Sequence, residues 1–279
     1  MILAVDIGGT KTLLGSFSQS GEVTQKIKFE TSKNYTDFLR NFEINYKQLV
    51  YQDFIRAVVA VPGRLDREHG RALGYGTMGW PTVSIEADLE AIVGCPVIIE
   101  NDTKLAGLSE AILIIKEFKR VLYITISTGI SDALIVNGVI DPAMQDSEGG
   151  QMWLEHKGKR VQWEDFASGS AIVKSYGKKA SDIHDEQTWQ KISADIAVGL
   201  INLIVTIQPE VIVMGGGVNT NFSVFVKILE KILKQYETPL TPIPPLRKAG
   251  RPEEAVIYGC YELAKQKLKA PINNQLVEA

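Results

Sequence analysis

The chain has 279 residues, 45% hydrophobic and 23% charged, with a formal net charge of −3. That length can bury a large core in one or two domains, and the weak negative charge offers no attraction to nucleic acid or to an anionic membrane. The two cysteines, Cys95 and Cys260, argue against a disulfide framework and suit a reducing compartment.

Ile2-Leu3-Ala4-Val5 reads as a strand ending at Asp6, followed by Ile7-Gly8-Gly9-Thr10 and a second strand, Thr12 to Phe17. A turn at Gln19-Ser20-Gly21-Glu22 leads to a third alternating run through Phe29. The Asp-x-Gly-Gly-Thr hairpin can cradle phosphate oxygens with its backbone amides, and Asp6 is placed to hold a magnesium shell. A plain glycine hairpin with an exposed Asp fits the same residues. It is not a Walker loop, since no Gly-Lys-Ser/Thr follows at the required spacing.

Residues 35–50 read as an amphipathic helix and Phe54 to Val61 as a strand running into a turn, Pro62-Gly63-Arg64-Leu65-Asp66. Gly74 to Trp80 is glycine-rich and irregular, a natural binding loop, and Glu86 to Val93 is helical. Val97-Ile98-Ile99 then forms a buried strand that stops at Glu100-Asn101-Asp102, where a helical pattern begins with Leu105, Leu108, Ile112 and Ile115 on its apolar face. Acid and amide groups between a strand end and a helix lie at the carboxyl edge of a sheet, where open α/β folds bind ligands. Capping of that helix by Asn101 or Asp102 is the simpler role for the same residues.

The order then partly repeats. Val121 to Ser127 is a strand, Thr128-Gly129 a turn and Ala133 to Val136 its partner. Helices follow over Trp163 to Tyr176 and Glu186 to Thr206, a buried strand over Val211 to Met214 leads into Gly215-Gly216-Gly217, and a helix runs from Phe222 to Tyr236. Pro239 to Pro245 breaks the pattern before a last helix, Glu253 to Leu268, and a polar tail from Pro271 that should fray. No apolar stretch reaches the roughly 18 residues that span a bilayer. The chain opens on a strand without a leader pattern, so a soluble cytoplasmic protein is expected.

Six pieces occur in one order: Asp6-Ile7-Gly8-Gly9-Thr10-Lys11, Val61-Pro62-Gly63, Glu100-Asn101-Asp102, Ser127-Thr128-Gly129-Ile130, Glu164-Asp165-Phe166-Ala167-Ser168-Gly169 and Val213-Met214-Gly215-Gly216-Gly217. Together they resemble the ROK family of sugar kinases, glucokinase-like members of the actin-like, ribonuclease-H-like ATPase superfamily, from Ile2 to about Lys267. The resemblance implies an α/β fold of two ribonuclease-H-like domains around a central cleft. Residues 1–117, joined by the C-terminal helix 253–270, would form the first domain, and 118–252 the larger second.

By that resemblance Asp102 is the general base, and Gly63, Asn101, Asp102, Glu148, Gln151 and Glu164 bind the sugar. Gly8, Gly9, Thr10, Lys11, Thr128 and Gly129 approach the phosphates of ATP, Gly215 and Gly216 lie against the adenosine, and Asp6 holds Mg²⁺ through water. The implied reaction is ATP-dependent phosphorylation of a hexose or aminosugar hydroxyl, O6 being typical, with polyphosphate an alternative donor. A homodimer is the family habit. Repressors of the family carry an N-terminal DNA-binding module, and a start on the first strand argues against direct control of DNA.

The departures define the other reading. Glu148-Gly149-Gly150-Gln151 has glutamine where the family has histidine, and the segment to Glu164 is short and free of cysteine. Tetrahedral zinc needs four such ligands, or three and an open position, so no zinc is expected and His156 is read as a solvated loop residue. Lys104 replaces a customary asparagine. Ser131-Asp132 stands where glycines are usual beside the phosphates. A carboxylate there would repel nucleotide, which motivates the alternative of a catalytically impaired sugar-binding or sensor protein, unless Asp132 turns away along the strand, holds the magnesium shell or pairs with a nearby lysine such as Lys11.

Overall fold

The computed structural model describes residues 1–74, 78–251 and 254–269. The chain divides into two compact units, one formed by Met1–Leu105 with the segment from Val256, the other by Ala106–Ala255. The first unit runs β1 (Ile2–Ile7), β2 (Lys11–Phe17), β3 (Val23–Glu30), α1 (Tyr35–Tyr46), β4 (Arg56–Val61), the short strands β5 (Arg64–Asp66) and β6 (Arg71–Gly74), α2 (Ile85–Val93), β7 (Val97–Asn101) and the start of α3 (Asp102–Leu113). Its main sheet has the order β3-β2-β1-β4-β7. The first three strands are antiparallel neighbours, while β1, β4 and β7 run parallel.

Side-chain alternation builds the layers. Leu3, Val5, Ile7, Val59, Val61, Val97 and Ile99 form one cluster with Phe38, Phe42 and Tyr46 of α1 and Ile85 and Leu89 of α2. The i, i+4, i+8 spacing of the three α1 aromatics puts them on one helical stripe. Helix α1 stops at Tyr46, short of the expected 50. The amides of Gln48 and Leu49 turn back to the carbonyls of Asn45 and Tyr46, which draws Leu49 into the core. The expected turn at Pro62–Asp66 opens into the β5–β6 hairpin, with Gly63 at φ +89° reversing the chain ahead of it. Of the glycine-rich loop over 74–80, residues 75–77 lie outside the described residues.

The second unit repeats the topology. It contains β8 (Arg120–Ile126), β9 (Ile130–Val136), β10 (Val139–Ile140), the hairpin β11 (Trp153–His156) and β12 (Lys159–Gln162), α4 (Glu164–Ala167), α5 (Gly169–Tyr176), α6 (Glu186–Ile207), β13 (Val211–Gly215), α7 (Phe222–Lys234) and β14 (Leu246–Lys248). The order β10-β9-β8-β13-β14 matches the first sheet strand for strand, with β8, β13 and β14 parallel. Strand β14 follows directly on the proline-rich break, at the sheet edge where proline is tolerated. The single helix expected over 163–176 is two, because Ser168 is extended (φ −74°, ψ 167°) and its hydroxyl caps α5 by accepting from the Ala171 amide.

Helix α6 is long and apolar enough to cross a membrane by length and composition, although no uninterrupted apolar run of that length occurs. Trp189, Ile192, Ile196, Leu200, Leu203 and Ile204 at helical spacing are buried in the second core. Gly199 is a glycine because the Trp163 indole lies 2.1 Å from where a Cβ would stand.

Helix α8 (Ala255–Lys269) belongs to the first unit. Ile257 meets Gly15 beside Ala4, and Phe17 of β2 stacks on Tyr261 at 5.2 Å, so α8 covers the sheet face that carries Ala4. Glu253 and the tail from Pro271 lie outside the described residues. A Cβ at Gly259 would fall 1.9 Å from the backbone oxygen of Leu105, in the first turns of α3. Backbone cannot yield as a side chain can, so Gly259→Ala should cost about 1–3 kcal/mol in urea unfolding. An unchanged midpoint would show that the two helices are not held this closely.

Candidate active site

Register fixes what stands at the carboxyl edge of the first sheet. Asp6 pairs with Ala60, Ala60 with Glu100 and Val61 with Asn101. Asp6 and Glu100 therefore lie in one row across three parallel strands, and the Gly8–Thr10 hairpin leaves from the same edge. The Gly8 amide donates to the Lys11 carbonyl at 3.0 Å and closes that hairpin. Lys33 Nζ donates to the Gly9 oxygen at 3.2 Å, adding a cation that the sequence reading did not single out.

Asn101 performs the helix capping. Its Oδ1 accepts from the amides of Thr103 (2.9 Å) and Lys104 (3.2 Å), and its Nδ2 donates to the Gly63 carbonyl at 3.2 Å. One amide N–H of Asn101 remains beyond that bond. Asp102 stands at the first position of α3 and accepts at Oδ1 from the Thr103 amide (2.7 Å) and, more weakly, from its hydroxyl (3.4 Å). Glu100 is clamped from a third direction: Arg67, in the β5–β6 turn, reaches both its oxygens, with Nη2–Oε1 at 2.5 Å and Nε–Oε2 at 3.0 Å. This partly buried fork-to-fork pair fixes the end of β7.

Burial pushes the Asp6 carboxyl up to about 7; the charge of Asp102 adds to the rise and Lys28 opposes it. Burial also raises Asp102, with the hydrogen bonds from Thr103 and the charge of Lys104 pulling it back. Lys104 is itself almost wholly buried, at 1% exposure.

In the second unit the corresponding edge carries hydroxyls and glycines. Glu164 Oε2 accepts from the Ile130 amide at 3.3 Å, just past the Thr128-Gly129 turn, and Oε1 accepts from Gln151 Nε2. Gln151 is oriented in turn by Gln162 Nε2, which donates to its Oε1 at 2.6 Å. Glu148 Oε2 lies 3.5 Å from Ser131 Oγ. Asp132 is fully buried and turns away from Ser131, as strand alternation requires. His156 is no solvated loop residue: it ends β11, bonds Asp195 Oδ1 through Nε2 at 2.9 Å and stacks on Phe166 at 4.2 Å.

Beside this edge the second unit holds a cavity of ≈ 600 Å³, lined by Ser127, Thr128, the α5 start (Gly169, Ser170, Val173), Lys179–Ser181 and Gly217, Val218 and Thr220. The Gly169 amide donates to the Ser127 carbonyl at 2.7 Å, and a Cβ there would fall 2.4 Å from that oxygen. The N-terminus of α5 is thereby seated on the 127–129 turn.

The model of the ROK family matches residues 2–267. The chain belongs to the ROK family. An N-acetylmannosamine kinase of Vibrio vulnificus is 27% identical over 260 residues, covering 84% of this chain and 88% of its own. A fructokinase of Pediococcus pentosaceus is 26% identical over 292 residues, 95% of this chain and 98% of its own. The crystal structure of a ROK glucokinase from Streptomyces griseus in complex with glucose and AMPPNP superimposes with a TM-score of 0.78 at 20% identity, covering 95% of this chain and 99% of that one. The two-sheet α/β architecture is accordingly the actin-like ATPase fold.

Against the ROK motifs, the structure groups Asp6, Gly8, Gly9, Thr10, Lys11, Gly63, Asn101 and Asp102 in the first unit, and Thr128, Gly129, Glu148, Gln151 and Glu164 in the second. Gly215 and Gly216 are glycines for an internal reason. A Cβ at Gly215 would meet Tyr123 Oη at 2.1 Å, and Gly216 has φ +87° with the Ile126 oxygen 2.3 Å from its Cβ position. Their neighbour Gly217 faces open space and lines the cavity. The sequence reading missed Ser170, Lys179 and Thr220, which only the docking of α5 and the 217–221 turn brings to Thr128.

The raised Asp6 value has a consequence for stability. The native state holds a proton that the unfolded chain releases above its ordinary value of 3.8, so stability declines as pH rises from there to about 7 and then levels. In urea unfolding without divalent ions, Asp6→Asn should therefore gain on the wild type between pH 5 and pH 7.5. A constant difference across that range would contradict the assignment.

Proposed function

We propose that this chain is an ATP-dependent, glucokinase-like sugar kinase of the cytoplasm, phosphorylating a hexose or aminosugar hydroxyl, O6 being the favoured acceptor. The observation that carries the reading is the division of labour at the start of α3. Asn101 takes the Lys104 amide and shares the Thr103 amide with Asp102 Oδ1, which leaves Asp102 Oδ2, at a parallel-strand end, for proton transfer. Phosphoryl transfer is largely positioning and charge stabilisation, so one carboxylate beside the acceptor is sufficient base. Asp102 takes the hydroxyl proton, the hydroxyl oxygen attacks the γ-phosphorus, and ADP leaves with the electrons of the broken P–O bond.

In this reading Gly63 and the remaining amide N–H of Asn101 are sugar-contacting groups of the first unit, and Glu148, Gln151 and Glu164 are those of the second. The cavity beside Thr128 receives the nucleotide: its hydroxyls and Lys179 suit an anion, and Val173 and Val218 suit a base. The Asp6 carboxylate, with Asp102 as neighbour, is a donor set of the hard oxygens that magnesium prefers. When bound, that ion neutralises phosphate charge. Zinc does not fit. Gln151 presents an amide and not an imidazole, His156 is bonded to Asp195 and packed on Phe166, and both cysteines belong to the first unit. The sensor alternative drew on Asp132, whose burial away from Ser131 removes that motive.

A coupled ADP-release screen over glucose, fructose and N-acetylhexosamines, with magnesium and no added zinc, tests the reading. Asp102→Asn should lower turnover by roughly 10² or more with far less change in sugar affinity; near-normal turnover would remove it as base. Metal analysis of the purified protein should find no stoichiometric zinc, and a zinc-selective chelator should leave Tm unchanged. Stoichiometric zinc whose removal lowers Tm would overturn that part.

A further inference from the structure

Asp132 is a fully buried carboxylate that the reaction itself does not use. Its Oδ2 accepts from Ser147 Oγ at 2.6 Å and its Oδ1 from the Gly149 amide at 2.6 Å. Those two partners flank Glu148, whose side chain meets Ser131, the next residue along β9. A Cβ at Gly149 would stand 2.9 Å from Asp132 Oδ1, and one at Gly150 2.2 Å from the Ile130 oxygen. The loop backbone thus lies flat against β9, too close for any side chain. Its far end is tied by Gln151 to Glu164, which also bonds the Ile130 amide.

We infer that Asp132 is a positioning residue that clamps the Ser147–Gln151 loop to β9 and so sets the affinity and selectivity of the site for its sugar. The inference rests on the kinase reading only in assigning Glu148 and Gln151 to the sugar. The two consecutive glycines have no side chains with which to anchor the middle of the loop, and ordering such a segment is costly in backbone entropy. A carboxylate supplies two acceptors at once, and bonds to an ionised group are stronger than neutral ones. Both bonds fall on the residues either side of Glu148, so they fix the direction in which its carboxylate leaves the backbone. The clamp acts through Glu148 and Gln151, on the sugar and not on the nucleotide cavity.

The test compares wild type, Asp132→Ala, Asp132→Asn and Ser147→Ala by titration calorimetry, with glucose, fructose and N-acetylmannosamine as sugars and Mg-AMPPNP as nucleotide. Asp132→Ala should weaken sugar binding roughly tenfold or more, the scale of a lost charge-assisted hydrogen bond, and nucleotide binding by less than about twofold. Asp132→Asn keeps an acceptor for the Gly149 amide and should recover most of the affinity. Ser147→Ala, which loses one bond of two, should fall between and serves if Asp132→Ala does not fold. Amide exchange at Gly149 should be slow in the wild type and fast in Asp132→Ala. Sugar binding that is unchanged in the folded variants, or lost equally with nucleotide binding, overturns the proposal. Wild-type protein that binds sugar without transferring phosphate would sink the kinase reading while these affinity ratios still decide the role of Asp132. Wild type that binds none of the sugars would overturn both.

Discussion

Two carboxylates held near one another at the end of a parallel sheet are the constraint around which the first unit is arranged. Burial raises both Asp6 and Asp102, and the charge of Asp102 raises Asp6 further. In the proposed role Asp102 accepts a proton and must be spared from full neutralisation, which its surroundings favour. The Thr103 amide and hydroxyl and the buried Lys104 pull Asp102 back towards the ionised form. Asp6 has only the distant help of Lys28. Two similar groups on adjacent elements are thus both raised by burial but opposed by different neighbours, the kind of difference by which a site can assign separate roles to identical side chains.

The second unit uses the same strand order without the carboxylate row. Its edge is built from close backbone approaches: Gly150 on Ile130, Gly169 on Ser127, Gly216 on Ile126. In each case a Cβ would stand 2.4 Å or less from a main-chain oxygen. These contacts bring the 127–129 turn, the 147–151 loop, α5 and the β13 end together. Two acids also stand here, Glu148 against Ser131 Oγ and Glu164 on the Ile130 amide. One topology therefore carries two different sets of groups, decided by which residue types terminate the strands.

Much of this was legible in the sequence because strand ends are local. The apolar run Val97-Ile98-Ile99 followed by Glu100-Asn101-Asp102 announced a sheet edge, and the repeated strand–glycine–strand pattern announced the second sheet. What escaped depends on partners distant in sequence. Arg67 and Glu100 are separated by 33 residues, and no periodicity links them. The β11–β12 hairpin was missed because its residues are mostly exposed or half-exposed, and its turn relies on Lys157 and Gly158 at positive φ. Ser168 was read as helical because its neighbours favour helix, whereas its hydroxyl does more as a cap.

The glycine run Gly215–Gly217 shows why motif and site can part company. A glycine is required wherever a backbone or a ring comes within Cβ distance, whatever the identity of the approaching group. In sequence the three residues are equivalent, and a ligand explains all of them. In the structure Tyr123 explains Gly215 and the Ile126 backbone explains Gly216, which leaves Gly217 as the position where open space meets the cavity. The first two are needed to pack β13 against β8, and only through that packing do they hold the turn that lines the cavity. Their contribution to binding is then one of placement: a substitution at Gly215 should be felt first as a strained sheet. The same logic applies to Asn101 and Asp102, which share the Thr103 amide: Asn101 also takes the Lys104 amide, and only Oδ1 of Asp102 is used by the fold.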